Sequence, residues 1–157
     1  MCFRENVPMQ PIPVRVRRLP HGKHLLLPNY RTEGSAGMDL AAAVSQPLSI
    51  APGATARVPT GIAVAIPRGY EGQVRPRSGL ASTSSIILPN SPGTIDSDYR
   101  GEIQVTVRNI GSSPFVIEPG MRIAQLVIAP VARAEWVEMD ELPPTERGSG
   151  GFGHTGR

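Results

Sequence analysis

Asn90-Ser91-Pro92-Gly93-Thr94-Ile95-Asp96-Ser97-Asp98-Tyr99-Arg100-Gly101-Glu102 is the stretch that decides how this chain is read. Pro92-Gly93 breaks the chain, Thr94-Ile95 starts a strand, and Ser97-Asp98 with Gly101 supplies turn residues. The run Ile103-Gln104-Val105-Thr106-Val107 then alternates apolar and polar, the period of a half-buried strand. The pattern predicts a β-hairpin whose tip carries two carboxylates, a tyrosine and an arginine. In strand geometry Asp96 and Asp98 share a face and Ile95 points the other way. Taken alone, Asp-Ser-Asp reads as a solvated turn, because these side chains bond their own backbone. The surrounding chain changes that balance.

Working outward, short apolar runs recur between glycine and proline breaks. Val14–Arg17, Leu48–Ile50, Ile62–Ile66, Gln73–Arg75, Ile86–Leu88 and Phe115–Ile117 each read as a strand, and Glu135–Glu138 reads as a last, outer one. Arg122–Ala129 is apolar on both faces, as a strand inside a core or a subunit contact is. Gln125 falls on its Ile123/Val127 face, and a buried amide needs partners, so a polar cavity is expected there. Ser78 is placed to cap a short helix through Leu80-Ala81, with Arg77 beside its first amides as an anion grip. No other stretch has the period and length of a helix. The pattern predicts an all-β sandwich or barrel with at most one short helix.

Composition agrees. Glycine and proline contribute 17 residues each, just over a fifth of the 157, short of the roughly 25–30% that marks disordered chains. The net charge is +3, and Lys23 is the one lysine among sixteen basic residues. Arginine suits bidentate grip on phosphate, whereas an aromatic content of 4% is poor material for stacking bases along a polynucleotide. A small phosphorylated ligand is therefore expected, with no nucleic acid and no membrane as partner. The single cysteine, Cys2, allows no internal disulfide, and no apolar run is long enough to span a bilayer; a cytoplasmic protein is expected. His21 and His24 lack a third ligand nearby and read as surface histidines. Asp39, directly before an apolar strand, serves equally as a loop hydrogen-bond acceptor or as a metal or water contact. The chain divides into an N-terminal extension with a first strand (1–25), a barrel (26–139) and a flexible glycine-rich arm (140–157), whose Phe152 and Arg147 could close over a base and its phosphates.

Together these segments resemble the trimeric dUTP pyrophosphatases (dUTPases). Five motifs stand in family order: Ala36-Gly37-Met38-Asp39-Leu40, Pro76-Arg77-Ser78-Gly79-Leu80-Ala81, the Asn90–Glu102 stretch, Pro119-Gly120-Met121-Arg122-Ile123-Ala124-Gln125-Leu126, and Arg147-Gly148-Ser149-Gly150-Gly151-Phe152-Gly153. The resemblance implies a jelly-roll fold, a homotrimer with sites shared between chains, and Mg²⁺-assisted hydrolysis of dUTP to dUMP and pyrophosphate. Carried onto this sequence, it makes Asp96 the water-activating carboxylate, with Gln125 near the α-phosphate. Tyr99 would exclude a 2′-hydroxyl, and Asn90 with the backbone of Gly93, Thr94 and Ile95 would read uracil. Arg77, Ser78 and Gly79 would hold phosphates, and Asp39 would hold the metal through water. Arg147, Gly151 and Phe152 would close the arm over the nucleotide. Two departures stand out: His154 replaces the serine of many relatives, and Ser82–Ser85 lacks a glycine common before the next strand. The extension through Lys23 has no counterpart in the pattern.

Three other readings compete. A dCTP deaminase would share the scaffold, but the Thr94–Tyr99 run and Phe152 favour dUTP. A non-catalytic nucleotide sensor has no need of Asp96, Tyr99 and Phe152 together. A nucleic-acid module fits least, for want of aromatics.

Overall fold

Breaks at glycine and proline keep most of the strands short, and pairing between distant segments assembles them. The computed structural model describes residues 10–151. Among these it contains ten strands: β1 (Arg15–Arg18), β2 (Met38–Ala41), β3 (Leu48–Ile50), β4 (Thr55–Ala65), β5 (Tyr70–Arg75), β6 (Ile86–Ile87), β7 (Gly93–Ile95), β8 (Glu102–Asn109), β9 (Phe115–Ile117) and β10 (Arg122–Pro130). One short helix, α1 (Ser78–Thr83), and a 3-10 turn at Pro20–Gly22 complete them. None of these helices is long and apolar enough to cross a membrane.

The strands form two four-stranded sheets, ordered β1-β4-β8-β6 and β2-β10-β5-β7, with β3 and β9 as a separate pair. All pairings are antiparallel. Alternation along β8 puts Ile103, Val105 and Val107 at no more than 1% exposure, with Gln104 and Arg108 outside. These side chains meet Val58, Ile62 and Val64 from β4 and Leu40, Val74, Ile123 and Leu126 from the other sheet in one core. The result is the all-β jelly roll expected from the sequence.

Several local expectations are corrected. The Thr94-Ile95 and Ile103–Val107 strands do not form a hairpin: β7 pairs with β5, while β8 pairs with β4 and β6. The Asp96–Gly101 loop therefore crosses from one sheet to the other. Local turn signals are the same for a hairpin and a crossover; the pairing partners, at least 19 residues away, decide. Glu135–Glu138 forms no strand; Trp136 is 93% exposed and pairs with nothing among the described residues. Alternation without a neighbouring strand to pair with does not make a sheet. Ser78 is the first residue of α1 rather than its cap; Arg77 takes the cap position, with no side-chain capping bond. Strand β5 starts at Tyr70, three residues before the expected start at Gln73, and β1, alternating in sequence, lies exposed throughout as an edge strand.

Two strands carry irregularities. On β10 the register to β2 shifts between Arg122 and Ala124, so Ile123 turns into the core rather than sharing the face of Gln125. On β4 the register to β8 jumps between Pro59 (opposite Gln104) and Ala63 (opposite Glu102). Gly61, at φ +71°, carries the chain through this bulge.

Asn109 ends β8 at 1% exposure and joins three segments. Its amide donates to the carbonyls of Ile50 (2.9 Å) and Ser113 (2.8 Å) and accepts from the Gly111 N–H (2.9 Å). Asn109→Leu strands those backbone groups, and we expect it to cost about 2–4 kcal/mol of folding stability. Chemical denaturation measures this; a loss under about 0.5 kcal/mol contradicts it.

Candidate active site

The candidate residues gather in two clusters. The first is built where β10 lies between β2 and β5. Gln125 is level with Asp39 on one side and Arg75 on the other. Its amide donates to the Pro76 carbonyl at 2.9 Å, tying β10 to the turn that presents Arg77. Gly37 lies against the Gln125 amide oxygen so closely that a Cβ there would overlap it.

Asp39 is the hub of this cluster. Arg77 Nε donates to its Oδ1 at 2.7 Å, Arg122 Nη1 to Oδ2 at 2.9 Å, and Arg31 Nε lies 3.5 Å from Oδ2. Arg77 also donates to the Arg122 carbonyl at 3.2 Å. Burial of Asp39 works against its charge, but the hydrogen bonds from Arg77 and Arg122, and then their positive charges, outweigh it. Its carboxyl consequently titrates below the ordinary aspartate range. Three guanidiniums against one carboxylate leave a surplus of positive charge around a cavity that Ser78, Gly79 and Gln125 also line. Such a surplus on preorganised forks suits a multiply charged anion.

The second cluster surrounds the loop that crosses between the sheets. Asn90, Gly93, Thr94, Ile95, Asp96 and Tyr99 line one cavity of about 230 Å³, with Val74 and Thr106 from the strands behind. A Cβ on Gly93 would lie 3.0 Å from the Asn90 amide nitrogen, so glycine lets that amide settle over β7. Tyr99 rests on Gly101, where any Cβ would overlap the ring, and its hydroxyl donates to the Glu102 carbonyl at 3.0 Å. Asp96 is exposed at the rim and also borders the neighbouring cavity, which holds Asp98, Arg68, Arg100 and Arg133.

The clusters share a sheet but do not meet. Ile95 is level with Gly72 on β5, and Gln125 with Arg75. Asp96, one residue further on, is thus about four residues along and two strands across from Gln125. At about 3.3 Å per residue and 4.8 Å per strand, that is roughly 16 Å. Arg147 and Gly151 are exposed at the end of the described chain, where Arg147 Nε donates to the nearby Gly150 carbonyl at 2.7 Å. Phe152 and His154 lie outside the described residues. His21 and His24 are both exposed, as expected of surface histidines, and His21 Nε2 also reaches Glu102 at 2.7 Å. Sequence reasoning gave no role to Arg31, Arg122 or Glu102. Arg122 and Glu102 sit inside the quoted motifs, so a signal existed; Arg31 carried none.

Among the described residues no three histidine, cysteine, aspartate or glutamate side chains converge. Both Asp39 oxygens already accept from arginine, and the surrounding positive charge opposes a bare dication. These residues alone do not make a Mg²⁺ site. The ion fits here only alongside a ligand that brings its own phosphate oxygens.

The jelly roll thus carries an arginine-rich anion cluster on one patch and, on another, a cavity lined by an amide, a carboxylate and a tyrosine. A family model described as dUTPase matches residues 23–156. Among solved structures, the fold is similar to the Staphylococcus bacteriophage 80alpha dUTPase with dUPNHPP, at 28% identity and a TM-score of 0.83, over 92% of this chain and 99% of that one. A point mutant of that phage enzyme with dUpNHpp gives 27% identity, a TM-score of 0.83 and the same coverage. A mutant dUTPase from phage phi11 of S. aureus, described with a structural Mg(II) ion, shares the fold at 24% identity and a TM-score of 0.75, over 84% of this chain and 99% of that one. The chain belongs to the dUTPase family.

The lowered Asp39 titration sets an acid dependence. A carboxyl whose folded pKa is depressed stabilises the fold above its unfolded value, about 3.9, and loses that contribution as pH falls through the folded value. We expect wild-type stability to fall more steeply than that of Asp39→Asn below about pH 4. Thermal unfolding across pH 2–6 measures this, and parallel curves contradict it.

Proposed function

We propose that this protein hydrolyses dUTP to dUMP and pyrophosphate as a homotrimer, each site combining the Asp39 cluster of one chain with the Asp96–Tyr99 cluster of another. The observation that carries this reading is the roughly 16 Å between Asp96 and Gln125 within one chain. A water poised on one phosphorus atom cannot touch both. A second copy of the chain brings the clusters face to face, and the reaction limits uracil incorporation into DNA while supplying dUMP for thymidylate synthesis.

In such a site Asn90 and the backbone of Gly93, Thr94 and Ile95 hold the uracil edge. The donor and acceptor pattern there separates uracil from cytosine. Tyr99, pressed on Gly101, packs against the deoxyribose and leaves no room for a 2′-hydroxyl. Arg77, Ser78 and Gly79 take the phosphates, and the triphosphate competes with Asp39 for the arginine forks. Asp96, exposed at the rim, takes a proton from water as the water oxygen bonds to the α-phosphorus and the bond to the β-phosphate oxygen breaks. Gln125, fixed by Pro76, presents its remaining amide groups to that water and the α-phosphate.

Mg²⁺, entering with the triphosphate and contacted through water by Asp39, would supply charge neutralisation to the leaving pyrophosphate. Residues 140–157 form an arm that closes over the nucleotide. Phe152 stacks on uracil, and Arg147 with the Gly151 backbone reaches phosphate. On the single cysteine of the sequence we place the enzyme in the cytoplasm.

Pyrophosphate release measured in parallel on dUTP, dCTP, dTTP and UTP tests the reading. Release from dUTP should exceed that from UTP at least about 100-fold in kcat/KM. Equal rates on all four contradict the assignment of Asn90 and Tyr99. Asp96→Asn should keep dUTP affinity and lose about 10²–10⁴-fold in kcat; near-normal turnover shows that another group activates the water.

A further inference from the structure

The N-terminal segment, which no motif explains, is fastened to the back of the candidate sugar pocket. The bulge in β4 leaves the Gly61 N–H without a ladder partner, and the Glu102 Oε1 accepts it at 2.7 Å. The same oxygen lies 2.7 Å from His21 Nε2. A carboxylate oxygen accepts, so Nε2 carries the hydrogen. Two further contacts hold His21 in place. The Leu19 N–H donates to the Gly61 carbonyl at 2.8 Å. Gly22 is buried against Gly61 so tightly that a Cβ on Gly22 would lie 2.5 Å from the Gly61 backbone.

Glu102 faces the other way as well. Its carbonyl accepts the Tyr99 hydroxyl at 3.0 Å, and the residue lines the cavity that holds Asn90 and Asp96. One residue thus joins the 3-10 turn, the β4 bulge and the tyrosine. Its side chain is 17% exposed, and that of His21 43%.

We propose that His21 is a positioning residue for sugar selection. By fixing the Glu102 carboxylate against the β4 bulge, it holds the Glu102 carbonyl where Tyr99 needs it and keeps the ring seated on Gly101. With that hold gone, the tyrosine is freer to yield to a 2′-hydroxyl. This inference rests on the reading of Tyr99 as the group that excludes ribose. It gives the segment before Lys23 a role in specificity, and it places a determinant 78 residues away in sequence from the side chain it steers.

The test uses kcat/KM for dUTP and for UTP, with melting temperature, in the full-length protein. Tyr99→Ala is the control on the underlying reading and should collapse the dUTP/UTP preference. His21→Leu keeps bulk but removes the donor; it should lower the preference at least about fivefold, mainly by raising activity on UTP. His21→Gln returns a donor near the same place and should restore the preference to within about twofold of wild type. If Tyr99→Ala collapses the preference but His21→Leu leaves it intact, or depresses both substrates equally along with the melting temperature, His21 does not steer the tyrosine. If Tyr99→Ala itself leaves the preference unchanged, the sugar reading fails and the inference goes with it.

Discussion

The register of β5 between β10 and β7 is the constraint on which the rest depends. It makes Gln125 level with Arg75 and Ile95 level with Gly72, so the two candidate half-sites lie on one sheet roughly 16 Å apart, too far for one water to touch both. A slip of one residue would exchange the faces of β5 and bring Arg75 into the core in place of Val74. The buried alternation of Val74 and Gly72 forbids this. The core thereby fixes the distance between the two clusters, on which the proposed shared site rests.

Within the arginine cluster, a single carboxylate does the organising. Three guanidiniums converging without Asp39 would repel one another; with it they are held as forks already aimed at one cavity. The arrangement costs little to maintain because much of each arginine remains hydrated, with 26%, 47% and 59% of the Arg77, Arg122 and Arg31 side chains exposed. In the proposed reaction, a triphosphate arriving there would replace one negative partner with several.

Much of this was legible in the sequence where the signal is local. Glycine and proline breaks located most strands, and the Asn90–Glu102 stretch named most of the residues that line the second cavity. What escaped depends on partners far along the chain. The loop at Asp96–Gly101 reads as a hairpin until β7 is seen to pair with β5 and β8 with β4. Glu135–Glu138 alternates like a strand but finds no neighbour among the described residues. The β4 bulge hides inside the run Pro59–Ala63, where Pro59 and Gly61 read as a strand boundary rather than as a bulge within one strand. The contact between the surface residue His21 and Glu102 escaped because the two lie 81 residues apart. Arg31 gave no sign at all, since nothing in its neighbours points to Asp39.

The most direct test of the shared site is complementation between two inactive variants. Asp96→Asn and Arg77→Ala each disable one half-site, so each alone should hydrolyse dUTP only feebly. Co-refolded in equal amounts, random mixed trimers should pair an intact Asp96 with an intact Arg77 from another chain in about a quarter of sites, and recover about a quarter of the wild-type rate. A mixture no more active than its parents contradicts the account, because both groups would then have to serve the site from the same chain.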